Sequence, residues 1–203
     1  KNPMAHIGEV LRSRNNHCFS FANGLLNIGQ TNFFGFLTLF LTEAARASQP
    51  IAGLAMGIAQ TASFFARIGW GALSDKFVGR RKVLNNWICG VAVVFLAGMA
   101  LVGPGWGLWF GMALVLALGI TIASFAPVSQ AIAVEMVEPR LAASSMGYSM
   151  SAIHVGGMIG PVIFGFAVDH WGGYESAWLV TAALVAIGVA MLVFWFREGP
   201  PRE

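Results

Sequence analysis

An all-α transmembrane bundle of six helices is the fold class this sequence predicts, and three observations predict it. The 203 residues are 57% hydrophobic and 10% charged, with mean hydropathy +0.70, whereas soluble domains are about half apolar and a quarter charged. The apolar residues fall into six runs of the roughly 20 residues that a helix needs to cross a bilayer. The cations sit between those runs instead of covering one face, which excludes a nucleic-acid surface as the meaning of the pI near 9.2. Runs this long and unbroken are not the alternating strands of a membrane barrel. A multi-pass protein of the cell membrane follows, with the lipid bilayer as its surroundings.

The first span, 17–42, carries a polar stripe of Ser20, Asn23, Asn27, Gln30, Thr31 and Thr38, with Phe34 among them, at three- and four-residue steps. Amide side chains in hydrocarbon must find partners, so this face points to water, to substrate or to another helix. Asn27 and Gln30 are its members closest to the middle of the membrane. After "ASQP" comes the second span, 50–73, with a Gly53/Gly57 pair and with Arg67 about two turns from its end. The third is 83–103. The fourth, 105–134, follows "GPG" and contains Gly107 and Gly111; it is expected to be continuous. The fifth, 141–168, follows "EPR", and Pro161 after Gly160 is expected to bend it by removing a backbone donor. The sixth, 174–196, follows "GGY". Small residues four apart, as at Gly156 and Gly160, allow helices to approach closely.

Orientation follows from the Lys and Arg count. With both termini cytoplasmic, ten of the twelve cations fall on that side, Arg46 alone falls on the other, and Arg67 lies within a span. The expected division is a cytoplasmic segment 1–16, a membrane domain 17–198 and a cytoplasmic tail 199–203. A chain opening on Lys1, with a polar start and no cleavable signal, is expected to be a fragment or a processed product.

The loop after the second span, "GALSDKFVGRR", resembles the G-x-L-x-D-[RK]-x-G-R-[RK] signature of the major facilitator superfamily. Gly71, Leu73, Asp75, Lys76, Gly79, Arg80 and Arg81 match it, with Val78 as one extra residue. "AVEMVEPRLAASSMGY" and "GPVIFGFAVDHWGGYESAW" resemble the loop between helices ten and eleven and the passage from eleven towards twelve. The resemblance implies that these spans are helices seven to twelve. They would be two inverted three-helix repeats forming the C-terminal half of a twelve-helix transporter, with 1–16 as the inter-half linker and an absent N-terminal half as partner. It also implies a conformational gate made of Gly71, Asp75, Lys76, Gly79, Arg80 and Arg81. Physically, glycines permit the tight turn, Asp75 can accept backbone donors or cap a helix, and the cations answer an anionic inner leaflet. Topology anchoring alone would use the same residues.

Arg67 is costly inside a membrane unless paired or hydrated. Gln60, Ser63, Trp70, Gly71 and Ser74 share its helix face, and a guanidinium can hold a carboxylate bidentately. Its place resembles the anion-binding position of oxalate/formate antiporters, monocarboxylate transporters and nitrate transporters; snorkelling or a structural pair with the absent half fits it too. His154, with Tyr148 and Ser151 before it, marks the fifth span as a second substrate or proton candidate, or as a structural hydrogen-bonding group. No Asp or Glu lies deep in a span, so no carboxylate proton relay is expected here. Cys18 and Cys89 have no metal or pairing spacing, and no nucleophile elbow or phosphate loop is present. No enzyme, cofactor or metal is expected. The expected function is secondary active transport of a small organic anion by alternating access, bound by Arg67, Gln60, Asn27, Gln30, His154 and Tyr148. Efflux of a neutral or amphipathic solute and a non-transporting six-helix scaffold are the rivals.

Overall fold

A computed structural model describes residues 7–76, 80–103 and 107–197. The described residues form eight helices: α1 Ile7–Arg12, α2 Arg14–Glu43, α3 Gln49–Lys76, α4 Arg81–Met99, α5 Gly107–Ile120, α6 Ala126–Glu135, α7 Ala142–His170 and α8 Tyr174–Phe194. Five of them, α2, α3, α4, α7 and α8, are long and apolar enough to cross a membrane alone. The segment expected to form the cytoplasmic linker contributes α1 and the first turn of α2. The tail 199–203 and Gly79 lie outside the described residues.

The fourth span departs from expectation. In place of one helix over 105–134, the chain forms α5 and α6 with an irregular segment at 121–125. Two local causes act together. Pro127 sits in the first turn of α6 and has no N–H to give to the Ala123 carbonyl four residues earlier, so a continuous helix would leave that carbonyl unbonded. Thr121 and Ser124 then offer the chain alternative bonds: the Thr121 hydroxyl donates to the Ala117 carbonyl at 2.7 Å and the Ser124 hydroxyl to Thr121 at 3.2 Å. Pro161, by contrast, does not interrupt α7, which runs on to His170.

α2 is the centre of the bundle, packed chiefly on α7 and α8, while α3 lies on α5 and α4 on α8. The closest crossing is glycine on glycine. A Cβ on Gly156 would stand 2.1 Å from the Gly24 carbonyl oxygen, and one on Gly24 would stand 2.8 Å from that of Ala152. Gly160 packs on Asn32 and Ile28, as its spacing predicted. Among the described residues nothing lies within 4 Å of a Cβ placed at Gly53 or Gly57, so this pair meets no other helix of this chain. Gly111 meets Val102, but Gly107 serves the start of α5 with φ of 72°. Small-residue spacing marks helices that could approach, and the tertiary arrangement selects which of them do.

Aromatic rings fill the core between α2, α7 and α8. Trp178 is fully buried, 4.9 Å from Phe164 and 5.4 Å from Phe40 between ring centroids. The outside is equally apolar: Trp109, Met158, Val162, Phe65 and Phe194 are all exposed, which suits a surface facing lipid and not water. The polar stripe of α2 is divided among its neighbours. Asn32 donates to the Thr181 hydroxyl at 3.0 Å, Asn27 to the Ile153 carbonyl at 2.9 Å, and Asn23 accepts from Ser129. Thr31 bonds back to its own helix.

Candidate functional site

The break between α5 and α6 frees backbone carbonyls in a region where water is scarce, and each must find a donor. Helix α3 supplies most of them. Ser63 donates to the Ala123 carbonyl at 2.9 Å, Arg67 donates to the same oxygen through Nε at 3.3 Å and Nη2 at 3.0 Å, and Trp70 Nε1 donates to Ile120 at 2.7 Å. From α2, Gln30 Nε2 reaches the Ala123 oxygen at 2.8 Å. The polar face read on the second span is therefore a clamp on a broken helix. Three side chains converge on an oxygen with only two lone pairs.

Gln30 also borders a cavity of about 180 Å³ between α2, α6 and α7. Asn27, Ser129, Gln130 and Ser149 add polar groups to its wall, and Phe125, Met146, Met150 and Ile153 add apolar ones. No charged side chain lines it among the described residues. Of the six predicted substrate residues, the structure brings Asn27 and Gln30 to this cavity. Arg67 stands behind it, across the Ala123 carbonyl, and is exposed on α3 together with Gln60. His154 is exposed on α7. Tyr148 lies elsewhere, its hydroxyl 2.6 Å from His17 Nδ1, while His17 Nε2 donates to the Leu11 carbonyl at 2.6 Å. That pairing ties α1 and α2 to α7.

The gate residues gather where α3, α4 and α6 end or begin. Arg81 Nη2 lies 3.3 Å from Asp75 Oδ1 and 3.3 Å from Glu135 Oε1. The arginine side chain is only 10% exposed, whereas Asp75 is 76% and Glu135 37% exposed. One buried cation thus joins three helix ends. Among the described residues the N-cap of α4 is Arg80, without a side-chain cap bond, and the Asp75 carboxylate accepts from Arg81. Lys76 and Arg80 are exposed, and Gly71 is half-buried. Arg81 Nε, Ser74 Oγ and both amide atoms of Asn85 are buried without partners among the described residues.

The family model of the Major Facilitator Superfamily matches residues 19–203. The chain belongs to the major facilitator superfamily. The chain is 28% identical over 178 residues to the multidrug resistance protein MdtG of Proteus mirabilis (strain HI4320), covering 86% of itself and 42% of that relative. It is 29% identical over 167 residues to the uncharacterized MFS-type transporter YqjV of Bacillus subtilis (strain 168), covering 81% of itself and 38% of the relative. In fold it is similar to a crystal structure of a peptide transporter POT in complex with alafosfalin. The TM-score is 0.73 at 14% identity, over 95% of this chain and 41% of that one. The chain therefore spans about two fifths of the length of the relatives it matches.

Two residues with contacts across the bundle were not singled out from sequence. Glu135 lies in a segment that resembles the family, but nothing in the sequence pairs it with Arg81, 54 positions earlier. Lys82 donates from Nζ to the carbonyls of Phe196 at 2.6 Å and Val193 at 3.2 Å, at the end of α8. A cation at a helix C-terminus answers unsatisfied carbonyls and the helix dipole. Lys82→Met is expected to lower stability by about 0.5–2 kcal/mol and Lys82→Arg by less, as read from thermal unfolding in detergent. At the same end of the bundle, hydrogen bonding to Glu138, and then the charge of Glu9, push the Arg140 guanidinium further above its ordinary range, linking α1 to the loop before α7.

Proposed function

We propose that this chain is the C-terminal half of a secondary transporter that exports an uncharged or amphipathic solute. The other half would be N-terminal, both termini cytoplasmic, and access would alternate as the halves rock. The observation that carries the solute class is the cavity. Its wall combines methionine, phenylalanine and isoleucine with amides and hydroxyls, a lining that adapts to apolar bodies bearing a few polar atoms. The multidrug-resistance name of the MdtG relatives supports the same reading. Arg67 then acts through the break in the fourth span and does not touch solute.

The small organic anion is the second reading. Only Nε and Nη2 of Arg67 are engaged with Ala123, so Nη1 remains to face a carboxylate brought by the opposing half. Transport by the native gene product in proteoliposomes separates the two, with chloramphenicol as neutral probe and benzoate as carboxylate. Arg67→Met is expected to keep chloramphenicol transport within about tenfold of the parent, a change of about 1.4 kcal/mol, because Ser63 and Gln30 still satisfy the Ala123 carbonyl. Benzoate transport that is present in the parent and lost in Arg67→Met would overturn the neutral reading in favour of the anion.

A further inference from the structure

Gln30 occupies two places at once: it borders the cavity, and its amide N–H is bonded to the Ala123 carbonyl in the break of the fourth span at 2.8 Å. We propose that Gln30 is the coupling residue between the cavity and this break, its amide turning either to a bound solute or to Ala123. The inference rests on the cavity reading above and adds to it the means by which occupancy is felt by the helix.

The chemistry of the Ala123 oxygen makes such an exchange cheap. A carbonyl has two lone pairs, and here Ser63 at 2.9 Å and Arg67 at 3.0 and 3.3 Å compete with Gln30 for them. Withdrawing Gln30 therefore strands no buried acceptor, which would otherwise cost the full desolvation of that group. A glutamine amide also carries both donor and acceptor atoms, so one rotation can serve varied solutes. The consequence for the break is specific. With Gln30 attached, the Ala123 carbonyl is hydrogen-bonded from both α2 and α3; with Gln30 on solute, it is hydrogen-bonded from α3 alone. The segment between α5 and α6 is then freer to bend, and a ligand that removes Gln30 shifts that equilibrium by its preference for the released state. Arg67 and Ser63 are positioning residues in this scheme, keeping the carbonyl satisfied in both states.

The test uses the native gene product with Cys18, Cys89 and every other native cysteine changed to alanine and Thr121→Cys placed in the break. Thr121 is buried, at 7% exposure, so the rate of maleimide labelling reports opening. Saturating chloramphenicol, with occupancy checked by equilibrium binding of the radiolabelled compound, is expected to raise that rate severalfold in the parent. With Gln30→Ala added, chloramphenicol at a concentration that fills the site is expected to leave the rate unchanged. With Ser63→Ala and Arg67→Met added to the parent, Gln30 becomes the remaining side-chain donor on Ala123, and chloramphenicol is expected to bind more weakly. Occupancy without a change of labelling in the parent, or an equal change in Gln30→Ala, overturns the coupling and leaves the cavity reading intact. Absence of binding in every form overturns both.

Discussion

Gly156→Leu is expected to disrupt the bundle more than any other single change to the α2–α7 crossing. A side chain there begins with a Cβ 2.1 Å from the Gly24 carbonyl oxygen and 3.0 Å from the Gly24 Cα, both rigid backbone atoms. No rotamer change relieves that contact; the helices themselves must separate. Overpacking a core costs about 1–3 kcal/mol and occasionally more, and the cost belongs at the upper end because α2 also holds α8 and the cavity wall. Even Gly156→Ala is expected to show it. Gly165, on the same helix, has nothing within 4 Å, so Gly165→Ala should stabilise the helix by up to about 1 kcal/mol. Thermal unfolding of the two alanine variants in one detergent makes the comparison. Equal effects would mean that α2 and α7 do not cross at Gly24 and Gly156.

Arg81→Met should abolish or severely reduce transport, by well over an order of magnitude, while Arg81→Lys retains most of it. The prediction comes from the atoms involved. A single nitrogen, Nη2, faces both Asp75 and Glu135 at 3.3 Å, and Nε is buried without a partner. A lysine ammonium can take the place of Nη2 as a point charge between two carboxylates, and it removes the unsatisfied Nε donor. The usual objection to replacing arginine by lysine, loss of a bidentate fork, does not apply at a site that uses no fork. The stability change is expected to be modest, because exposed partners such as Asp75 are screened by solvent and contribute about 0–1 kcal/mol. The effect on transport comes from untying the ends of α3, α4 and α6. Proteoliposome transport with the three side chains, alongside Glu135→Gln, reads this directly; full activity in Arg81→Met would remove the gate from the account.

The membrane fold was legible because hydropathy and cation placement are properties of single segments. A run such as 174–196 announces its length and environment without reference to any other part of the chain, and "GGY" marks its start, where Gly172 and Gly173 adopt φ of 109° and 82°. The Asp75–Arg81 ion pair has a similarly local signal: the two residues are six apart along the chain. Glu135 has none, since its partnership depends on where α6 ends in space. The break at 121–125 had a visible signal in Pro127 with Thr121 and Ser124, but uniform hydropathy across 105–134 outweighed it. A hydropathy window averages over the few residues in which backbone geometry changes.

Arg67 shows the division most clearly. The sequence by itself determined that a guanidinium lies inside the second span and must have a partner, because an unpaired charge in hydrocarbon is too costly to persist. It also determined five of the six spans as single helices and the polar faces of α2 and α3. It could not choose among an anion, the leaflet surface and a protein group, since all three satisfy the same donors. Tertiary structure supplies one partner that the sequence did not show, an unwound carbonyl 56 residues along the chain and 3.0 Å from Arg67 Nη2. The physical reason is that hydrophobic burial is set by local composition, whereas a hydrogen bond across helices is set by which backbone atoms the packing leaves unpaired.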